Sequence, residues 1–473
     1  MRRRMRRLSR QKCASCTLSR YVALLTQPIP VALLDWSGFH DPSLSRGHLN
    51  RRLMPGDMTD MFPFSVRHRA SREAFTLYVA TAQQRAEWHQ SLTAVERMVA
   101  AHDAKHAVIR RTPLSGDTFA AGALQPDGLP RDVPNVHPEV TCAAPFRLED
   151  HTQMLAVGTS DGVWIGLYGQ VHSFHKVLHL RGVTQCTVLE RFGHFLVLAD
   201  KSLIAYDLQA LVPSKATPLS FAPQKLSGNR DVLFFATGYV GGRELLVYAK
   251  KKTSETSIRV LEPIEAGPDS DGRRFLSRRP SETFSRFREY KKFYVGYEAT
   301  GVQFLQTAIA VYTHRGFQTY SLETEALELL PTAKSATRDD TRAWSLLKQL
   351  EGQRPLGIFH LPDQHYLLCF ERCACYTDAA GRLVRTDAAF EWQGRPLRIA
   401  CTADTILAFS STFVEVHRLT GELLQVIPGS DIRLLSRPDN AQLSARPVLM
   451  VEQVPSAALH AQVQLVSELR RAD

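Results

Sequence analysis

The spacing of the hydrophobic residues changes character near residue 110 of the chain. Upstream of that point, the segment Phe75 to Val79 is rich in β-branched and aromatic residues, which predicts a strand. Thr81 and Gln84 have the spacing of a capping box, which predicts that a helix begins there. The apolar face of this helix comprises Trp88, Leu92, Val95 and Val99. A strand that leads into one amphipathic helix predicts a helix that plugs the open end of a small antiparallel barrel.

Downstream of Pro138, short apolar strands come in pairs that are separated by turn residues. One apolar position can be taken as the anchor of each pair, and the anchors are Leu155, Leu196, Leu246, Ile309, Leu367, Leu407 and Leu449. The intervals of about 41, 50, 63, 58, 40 and 42 residues lie near the period of propeller blades. A hairpin of this kind is half of a four-stranded blade, which buries both faces only by stacking on its neighbours. The pattern therefore predicts a seven-bladed β-propeller.

Between about residues 110 and 138 the periodicity disappears, and proline alternates with glycine. The residues of this stretch that interrupt regular structure are Pro113, Gly116, Gly122, Pro126, Gly128, Pro130, Pro134 and Pro138. Such a composition predicts a linker between the two patterns.

The composition supports a globular protein, since 44% of the 473 residues are hydrophobic and 22% are charged. No run reaches the ~18 apolar residues of a membrane-spanning helix, which predicts a soluble or peripheral protein. Eight sparse cysteines are typical of reduced thiols in the cytosol. The arginine-rich beginning is not followed by the apolar core of a secretory signal, so a solvated basic tail over 1–20 is favoured over a mitochondrial presequence.

The net charge of +11 includes one dense basic stretch between residues 272 and 292. Its cations are Arg273, Arg274, Arg278, Arg279, Arg286, Arg288, Lys291 and Lys292. This stretch is a candidate surface for an acidic partner or for anionic lipid, and the alternative is a solvated surface loop. No zinc finger, RNA-recognition signature or basic-zipper region accompanies the charge, so no nucleic-acid partner is predicted.

Several motifs resemble catalytic or metal sites, but their context argues against them. Gly158 to Gly162 matches the nucleophile elbow, yet a strand follows it, which predicts that Ser160 lies on a hairpin turn. Cys13 and Cys16 form only half of a zinc site, and His172, His175 and His179 have no nearby fourth ligand. Cys369, Cys373 and Cys375 differ by even numbers, which predicts buried apolar thiols on one face of a strand. Phosphate-binding and kinase loops are also missing, so no catalytic, metal-binding or cofactor-binding residue is predicted.

Three segments of the repeat region resemble a citron homology domain, namely Leu155 to Ile165, Phe195 to Leu208 and Glu391 to Val416. The resemblance covers about residues 138 to 469. The upstream segments 27–34, 62–68 and 75–82 are similar to the later two-thirds of a pleckstrin homology domain. Together they resemble the C-terminal half of fungal Rho-type guanine nucleotide exchange factors.

This resemblance implies an all-β chain in which a seven-bladed propeller follows a partial pleckstrin-like barrel with a C-terminal helix. The expected boundaries are a basic tail over 1–20, the partial pleckstrin module over 21–108, the linker over 109–138 and the propeller over 139–470. In the family, exchange activity belongs to a Dbl homology domain, which has no counterpart here. The first strands of the pleckstrin barrel, with their phosphoinositide contacts, have no counterpart either.

The resemblance therefore implies a non-catalytic cytoplasmic or cortical module without a cofactor, which docks Rho-family small GTPases or associated signalling proteins. Weak contact with anionic membrane is a further expectation from the basic stretch. No family motif defines the residues that bind the partner. One alternative is a part of a Rho exchange factor whose Dbl homology domain is encoded upstream. Another is a vesicle-tethering scaffold, although such proteins continue into helical repeats that do not follow Leu469 here.

Overall fold

The computed structural model divides the chain into two compact units, residues 1–105 and 106–473. It describes residues 29, 31–39, 62–71, 73–120, 138–212, 222–228, 231–253, 255–264, 286–332, 340–386, 389–436, 447–456 and 461–472. In these ranges, no helix combines the length and the apolar character needed to cross a membrane. The predicted basic tail and the Cys13 and Cys16 pair lie outside the described residues.

The first unit contains a three-stranded antiparallel sheet in the order β1-β2-β3. Its strands are β1 (Leu34–Ser37), β2 (Phe62–His68) and β3 (Ala74–Val79), and a short 3-10 helix, Val31–Leu33, precedes them. The strand predicted at Phe75 to Val79 is thus confirmed. Alternate side chains of β2 and β3 pack on one another because successive residues of a strand point to opposite faces. The small core that results includes Phe39, Phe64, Val66 and Val79.

The helix predicted after this sheet is α1 (Ala82–His106). The Thr81 hydroxyl accepts a hydrogen bond from the amide of Gln84 at 3.1 Å, as a capping residue does. The Gln84 side chain accepts from Ala80, one residue earlier than in a standard capping box. Leu92 packs against the small core, whereas Val95 is exposed. Only the first half of the predicted apolar face is therefore used within the unit, and the pleckstrin-like barrel stays a prediction.

The described part of the second unit forms seven antiparallel sheets. The first contains β5 (Val140–Arg147), β6 (Gln153–Thr159), β7 (Gly162–Leu167) and β8 (His175–His179). The second contains β9 (Val183–Leu189), β10 (His194–Ala199), β11 (Ser202–Asp207) and β12 (Gln224–Lys225). The third contains β13 (Val232–Val240), β14 (Arg243–Lys251), β15 (Thr256–Pro263) and β16 (Phe287–Val295). The fourth contains β17 (Ala299–Phe304), β18 (Ala308–Thr313), β19 (Gly316–Ser321) and β20 (Leu327–Leu330).

The remaining sheets follow in chain order, except for one strand. The fifth contains β21 (Pro355–His360), β22 (Tyr366–Phe370), β23 (Cys373–Thr377), β24 (Leu383–Val384) and β25 (Phe390–Glu391). The sixth contains β26 (Arg398–Cys401), β27 (Thr405–Phe409), β28 (Phe413–Arg418) and β29 (Leu423–Pro428). The seventh contains β30 (Arg433–Leu434), β31 (Val448–Ser456), β32 (Ala461–Arg471) and the early strand β4 (Ile109–Pro113). Short helices connect some strands, namely the 3-10 turn Glu190–Phe192, α2 (Leu208–Leu211) and α3 (Thr341–Leu350).

In every sheet, the second and third strands are the hairpin that the apolar pattern predicted. In the first sheet, for example, Val157 lies opposite Trp164 across the Ser160 turn. The second strands are buried on both faces, since each sheet lies between two others. Strands of this kind read as continuous apolar runs, which is why the hairpins are visible in the sequence.

The buried apolar side chains lie in clusters between neighbouring sheets. Each cluster joins one sheet to the next along the chain, and the last joins the seventh sheet to the first. That closing cluster contains Leu449 and Val466 from the seventh sheet and Leu155 and Val157 from the first. Full burial of one such side chain stabilises the fold by about 1.5–3 kcal/mol. Sheets that pack in a closed ring form a β-propeller, so the predicted all-β class is confirmed.

Strand β4 closes the ring by pairing with β32, with Arg111 opposite Leu469. The chain beyond β4 also belongs to the propeller, since Leu114 and Phe119 are buried and Ala120 bridges to Val463. The predicted linker over 109–138 is therefore wrong for residues 109–120, and residues 121–137 lie outside the described part. The error has a physical reason, because β4 is a short, half-exposed outer strand that contains two arginines and ends in proline.

Glutamine side chains bind the backbone of the neighbouring sheet at several places in the ring. Gln185 on β9 accepts from the amide of Phe235 at 3.0 Å and donates to its carbonyl at 2.9 Å. Gln303 on β17 accepts from the amide of Ile358 at 3.0 Å. An inner strand has a sheet partner on one edge only, so these amides satisfy backbone groups that burial would otherwise leave unpaired.

Gln425 on β29 makes the same kind of contact with the closing strand. Its carbonyl oxygen accepts from the amides of Val108 at 3.0 Å and Ile109 at 2.9 Å, and its amide nitrogen donates to the Ile109 carbonyl at 3.1 Å. We expect Gln425→Ala to lower the free energy of unfolding by about 2 kcal/mol, because two half-buried donors lose their acceptor. Urea unfolding measures this loss, and amide exchange at Val108 and Ile109 should become faster.

The matched control is Gln462→Ala, because Gln462 is exposed on β32. We expect its unfolding curve to stay within about 0.5 kcal/mol of the wild-type curve. Unchanged amide exchange at Val108 and Ile109 in the Gln425→Ala variant would contradict the stabilising role of these hydrogen bonds.

His194 on β10 lies at the contact between the second and third sheets. Its Nδ1 is 3.2 Å from an Arg286 guanidinium nitrogen, and the ring of Phe287 lies 5.4 Å away. Arginine can only donate, so the ring proton belongs on Nε2. Burial, and secondly the positive charge of Arg286, lower the pKa of His194 from 6.5 to about 4. Folding therefore keeps this imidazole neutral.

The depressed pKa of His194 predicts acid sensitivity. The unfolded chain binds the proton at His194 more readily than the folded chain does. The contribution of His194 to the free energy of unfolding is therefore fully present above pH 6.5 and is lost as the pH falls towards 4. We expect His194→Gln to reduce the loss of unfolding free energy across this range by about 2 kcal/mol. Urea unfolding at several pH values measures the slope. His179→Gln, a change at an exposed histidine of β8, should leave the slope unchanged, and equal slopes for all three proteins would contradict the assignment.

Candidate functional site

The channel of the propeller is a concave feature of the second unit. It contains a cavity of about 970 Å³, to which all seven inner strands contribute side chains. One lining residue from each inner strand is Cys142, Cys186, Phe234, Val302, Leu356, Ile399 and Leu434. A cavity of this size is at the upper end of the range that holds small ligands, ~300–1,000 Å³.

The two ends of the channel differ in chemistry because the inner strands all run in one direction. Each sheet has four main antiparallel strands, so its fourth strand ends where its first strand began, and the next inner strand starts at that same end. We call the end where the inner strands begin the N-mouth, and the end where they finish the C-mouth. Arg398 begins β26 and Arg354 directly precedes β21, which places both at the N-mouth. Arg147 ends β5 at the C-mouth.

Carboxylates at the C-mouth already have partners within the protein. Glu468 accepts from the Tyr168 hydroxyl at 2.7 Å and from Arg470 Nε at 2.6 Å. Burial, and secondly the hydrogen bond to Glu468, raise the pKa of Tyr168 well above its usual value. Glu244 accepts from the hydroxyl of Tyr239 at 2.8 Å. These bonds make the C-mouth a rigid polar rim.

Cys186 and Cys401, which line the channel, are thiols with raised pKa values. The Sγ atoms of Cys142 and Cys186 lie 3.5 Å apart. The hydrogen bond with Cys142, and secondly burial, raise the pKa of Cys186, and burial raises the pKa of Cys401. Because the thiolate is the nucleophile, thiols in this environment pack as apolar groups and are poor nucleophiles.

The three cysteines of the fifth sheet are buried, as predicted, but they do not share one face. Leu368 on β22 lies opposite Cys375 on β23, so the neighbouring Cys369 points to the other side of the sheet. Cys373 and Cys375 pack towards the fourth sheet, and Cys369 packs towards the sixth beside Cys401. The prediction fails for Cys369 because even spacing fixes a common face only within one strand, and a hairpin turn intervenes here.

The residues that matched catalytic or metal-binding motifs in the sequence lie in ordinary turns and strands of the propeller. Ser160 lies on the turn between β6 and β7, where its hydroxyl accepts from the amide of Glu139 at 3.0 Å. The predicted hairpin turn is confirmed, since a strand follows and not the helix of a nucleophile elbow. His175 and His179 are the ends of strand β8, so they do not lie on a helix with His172. Among the residues that the structure describes, no cluster of potential ligands could hold a metal ion.

The basic stretch lies only partly within the described residues. Arg273, Arg274, Arg278 and Arg279 lie outside them, whereas the later cations belong to or adjoin the outer strand β16. Three of these later cations form ion pairs, Arg288 with Glu262, Lys291 with Glu325 and Arg286 with Asp207. Lys292 lies 5.2 Å from the centre of the Tyr294 ring. The prediction of one continuous surface loop is wrong from Phe287 onward, and the positive charge available there is smaller than the sequence indicates.

Sequence reasoning missed the two arginines of the N-mouth. Burial, and secondly the positive charge of Arg354, lower the pKa of the Arg398 guanidinium. The available signal is local, because Arg398 stands immediately before the apolar residues Ile399 and Ala400 of an inner strand. An isolated arginine at a strand end is common, so this signal becomes informative only when the fold places Arg398 at the lining of the channel.

Comparison with known proteins supports this architecture. A family model of the CNH domain matches residues 151–437, which is more than half of the chain. The solved structure of the AfRom2 CNH domain superposes with a TM-score of 0.59 at 23% identity, covering 77% of this chain and 100% of that chain. At this level of identity the likeness shows the fold.

Several relatives with similar sequences are fungal exchange factors. Rho1 guanine nucleotide exchange factor 1 of Schizosaccharomyces pombe is 28% identical over 61% of this chain and 21% of its own length. Rho1 guanine nucleotide exchange factor 2 of the same organism is 26% identical over 87% of this chain and 34% of its own length. RHO1 GDP-GTP exchange protein 2 of Saccharomyces cerevisiae is 28% identical over 55% of this chain and 18% of its own length. The chain thus spans about a third or less of these relatives, and it belongs to the CNH domain family.

Proposed function

We propose that this chain is a non-catalytic interaction and regulatory module in Rho-type small GTPase signalling. It docks a Rho-family GTPase, or a protein associated with one, through the CNH propeller. The observation that carries the proposal is the extent of the match, since the similarity to Rho1 guanine nucleotide exchange factor 2 covers 87% of the chain. That share exceeds the propeller unit, so the similarity reaches into the first unit as well. We place the protein in the cytoplasm, with recruitment to the cell cortex by its GTPase.

The chemistry of the channel favours binding over catalysis. Burial raises the pKa of its Cys401 thiol, and carboxylates such as Glu468 and Glu244 accept hydrogen bonds from tyrosine hydroxyls. Ser160 serves a backbone turn. A rigid ring whose connecting loops gather at two ends is the usual arrangement of a docking scaffold.

A protein partner is favoured over an anionic membrane as the principal contact of the basic stretch. Clustered cations near a bilayer contribute ~1 kcal/mol each only while they are available to lipid. Arg288 is instead paired with Glu262 of the neighbouring strand β15, and Lys291 is paired with Glu325 in the connection between β19 and β20. Contact with membrane is therefore a weak, secondary part of the proposal.

A pull-down with the full chain tests the docking function. The full chain is needed because a fragment that starts at Pro138 would lack β4 and leave the seventh sheet open. We expect immobilised chain to retain Rho-family GTPases loaded with GTP or GDP analogues, and to leave a Ras-family GTPase in the flow-through. Nucleotide release from the retained GTPase should proceed at its intrinsic rate.

Two results would contradict this function in different ways. Failure to retain any Rho-family GTPase would exclude direct docking of the GTPase. Accelerated nucleotide release would exclude the non-catalytic assignment. It would place exchange activity within the chain itself. A second candidate is that the chain is part of an exchange factor whose Dbl homology domain is encoded upstream, and the upstream genomic sequence tests this candidate. The similarity to exchange factors across both units supports this second candidate.

A further inference from the structure

Two cysteine thiols meet between the first and second sheets of the propeller. Cys142 lies on the inner strand β5 and Cys186 on the inner strand β9, and their Sγ atoms are 3.5 Å apart. Both are free thiols, and they are 44 positions apart in the chain, so the packing of the two sheets brings them together. A disulfide has a sulfur–sulfur distance of about 2.05 Å, which the pair reaches if each sulfur moves by less than about 1 Å.

Neighbouring groups hold the two sulfurs at this separation. The Thr141 hydroxyl on β5 donates to the Val183 carbonyl on β9 at 2.9 Å, which joins the two inner strands beside the thiols. Gly158 lies opposite Cys142 on β6, and a Cβ atom at this position would come within 2.4 Å of the Cys142 sulfur. A side chain at residue 158 would therefore displace this sulfur from its place beside Cys186.

The pair is reached from the channel. Cys142 and Cys186 both line the cavity of about 970 Å³, and they are 6% and 8% exposed. A cavity of this volume is large compared with a small peroxide, whose size is near that of water. The thiols are therefore buried between two sheets but have one approach for a small oxidant.

We propose that Cys142 and Cys186 form a reversible disulfide when the chain meets a hydroperoxide. With hydrogen peroxide, one sulfur attacks as its thiolate, the O–O bond breaks, and the leaving oxygen takes up a proton and departs as water. The other sulfur then attacks the sulfenic acid, so that the S–S bond forms, the S–O bond breaks and a second water leaves. The two sulfurs together lose two electrons, the peroxide gains them, and both thiol protons end in water. Cytosolic disulfides are usually transient and report the redox state, and this site is separate from the proposed docking of a GTPase.

The two steps of this reaction differ in rate for a structural reason. The hydrogen bond with Cys142, and secondly burial, raise the pKa of Cys186, so little thiolate is present at neutral pH and the first step is slow. The second step is intramolecular, because the partner sulfur is already 3.5 Å away. We therefore expect the disulfide to form in place of a sulfinic acid, and to form faster as the pH rises from about 7 to about 8.5.

Peptide mapping of the oxidised full chain tests the pair. After treatment with hydrogen peroxide and alkylation of the remaining thiols in urea, trypsin releases Cys142 in the peptide 132–147 and Cys186 in the peptide 182–191, each with a single cysteine. We expect mass spectrometry to find these two peptides linked in monomeric chain, and dithiothreitol to separate them. Cys142→Ser and Cys186→Ser should each abolish the link. The matched control Cys401→Ser, a change at another thiol that lines the channel, should retain it.

Thermal unfolding gives a second readout on the wild-type chain. A disulfide between residues this far apart restricts the unfolded chain, so the oxidised chain should melt at a higher temperature than the reduced chain. Dithiothreitol should reverse this shift, and Cys186→Ser should not show it.

Several outcomes would overturn the proposal. Absence of the linked peptides at every peroxide concentration that leaves the wild-type chain folded would exclude the pair. Linked peptides found only in dimers of the chain would show that thiols of different molecules react. Oxidation of either cysteine to a sulfinic acid without a link would show that the partner sulfur does not capture the sulfenic acid. A lower melting temperature of the linked chain would show that the fold does not accommodate the disulfide.

Discussion

The pairing of β4 with β32 is the contact on which the propeller depends. It joins residues near 110 to residues near 470, so the last sheet is complete only when distant parts of the chain meet. An open ring would expose one face of the first sheet and one of the seventh, including Leu155 and Leu449, which are fully buried. Loop closure costs only (3/2)RT ln n in entropy, and the apolar surface buried between the two sheets exceeds that cost.

Closure also determines the character of the channel. Because every sheet packs on two neighbours, its inner strand has a free backbone edge, which glutamine amides such as Gln185 and Gln303 satisfy. The inner strands are then held in one direction, and side chains at their beginnings and ends gather at opposite mouths. A ring of seven similar sheets therefore has two chemically different ends.

The sequence predicts those parts of the fold that are buried on both sides. The hairpins around Leu155 and Leu407 read as continuous apolar runs because neighbouring sheets cover both faces. Outer strands are half exposed, so β4 carries no such pattern, and its arginines and proline indicated a linker. Spacing along the chain also could not place Cys369 on its face, because the turn before Cys373 changes the parity of the pairing. The channel is lined by inner strands from different sheets of the propeller. The contacts between these sheets have no signature within the sequence of a single repeat.

The two mouths of the channel show how the ring fixes its polar side chains. At the C-mouth, Glu468 joins Tyr168 and Arg470 in hydrogen bonds that the protein makes with itself. At the N-mouth, Arg398 begins an inner strand and lines the cavity, but its side chain is exposed. The seven interfaces between sheets hold the inner strands in place, and the side chains at the ends of these strands therefore keep their positions around the channel.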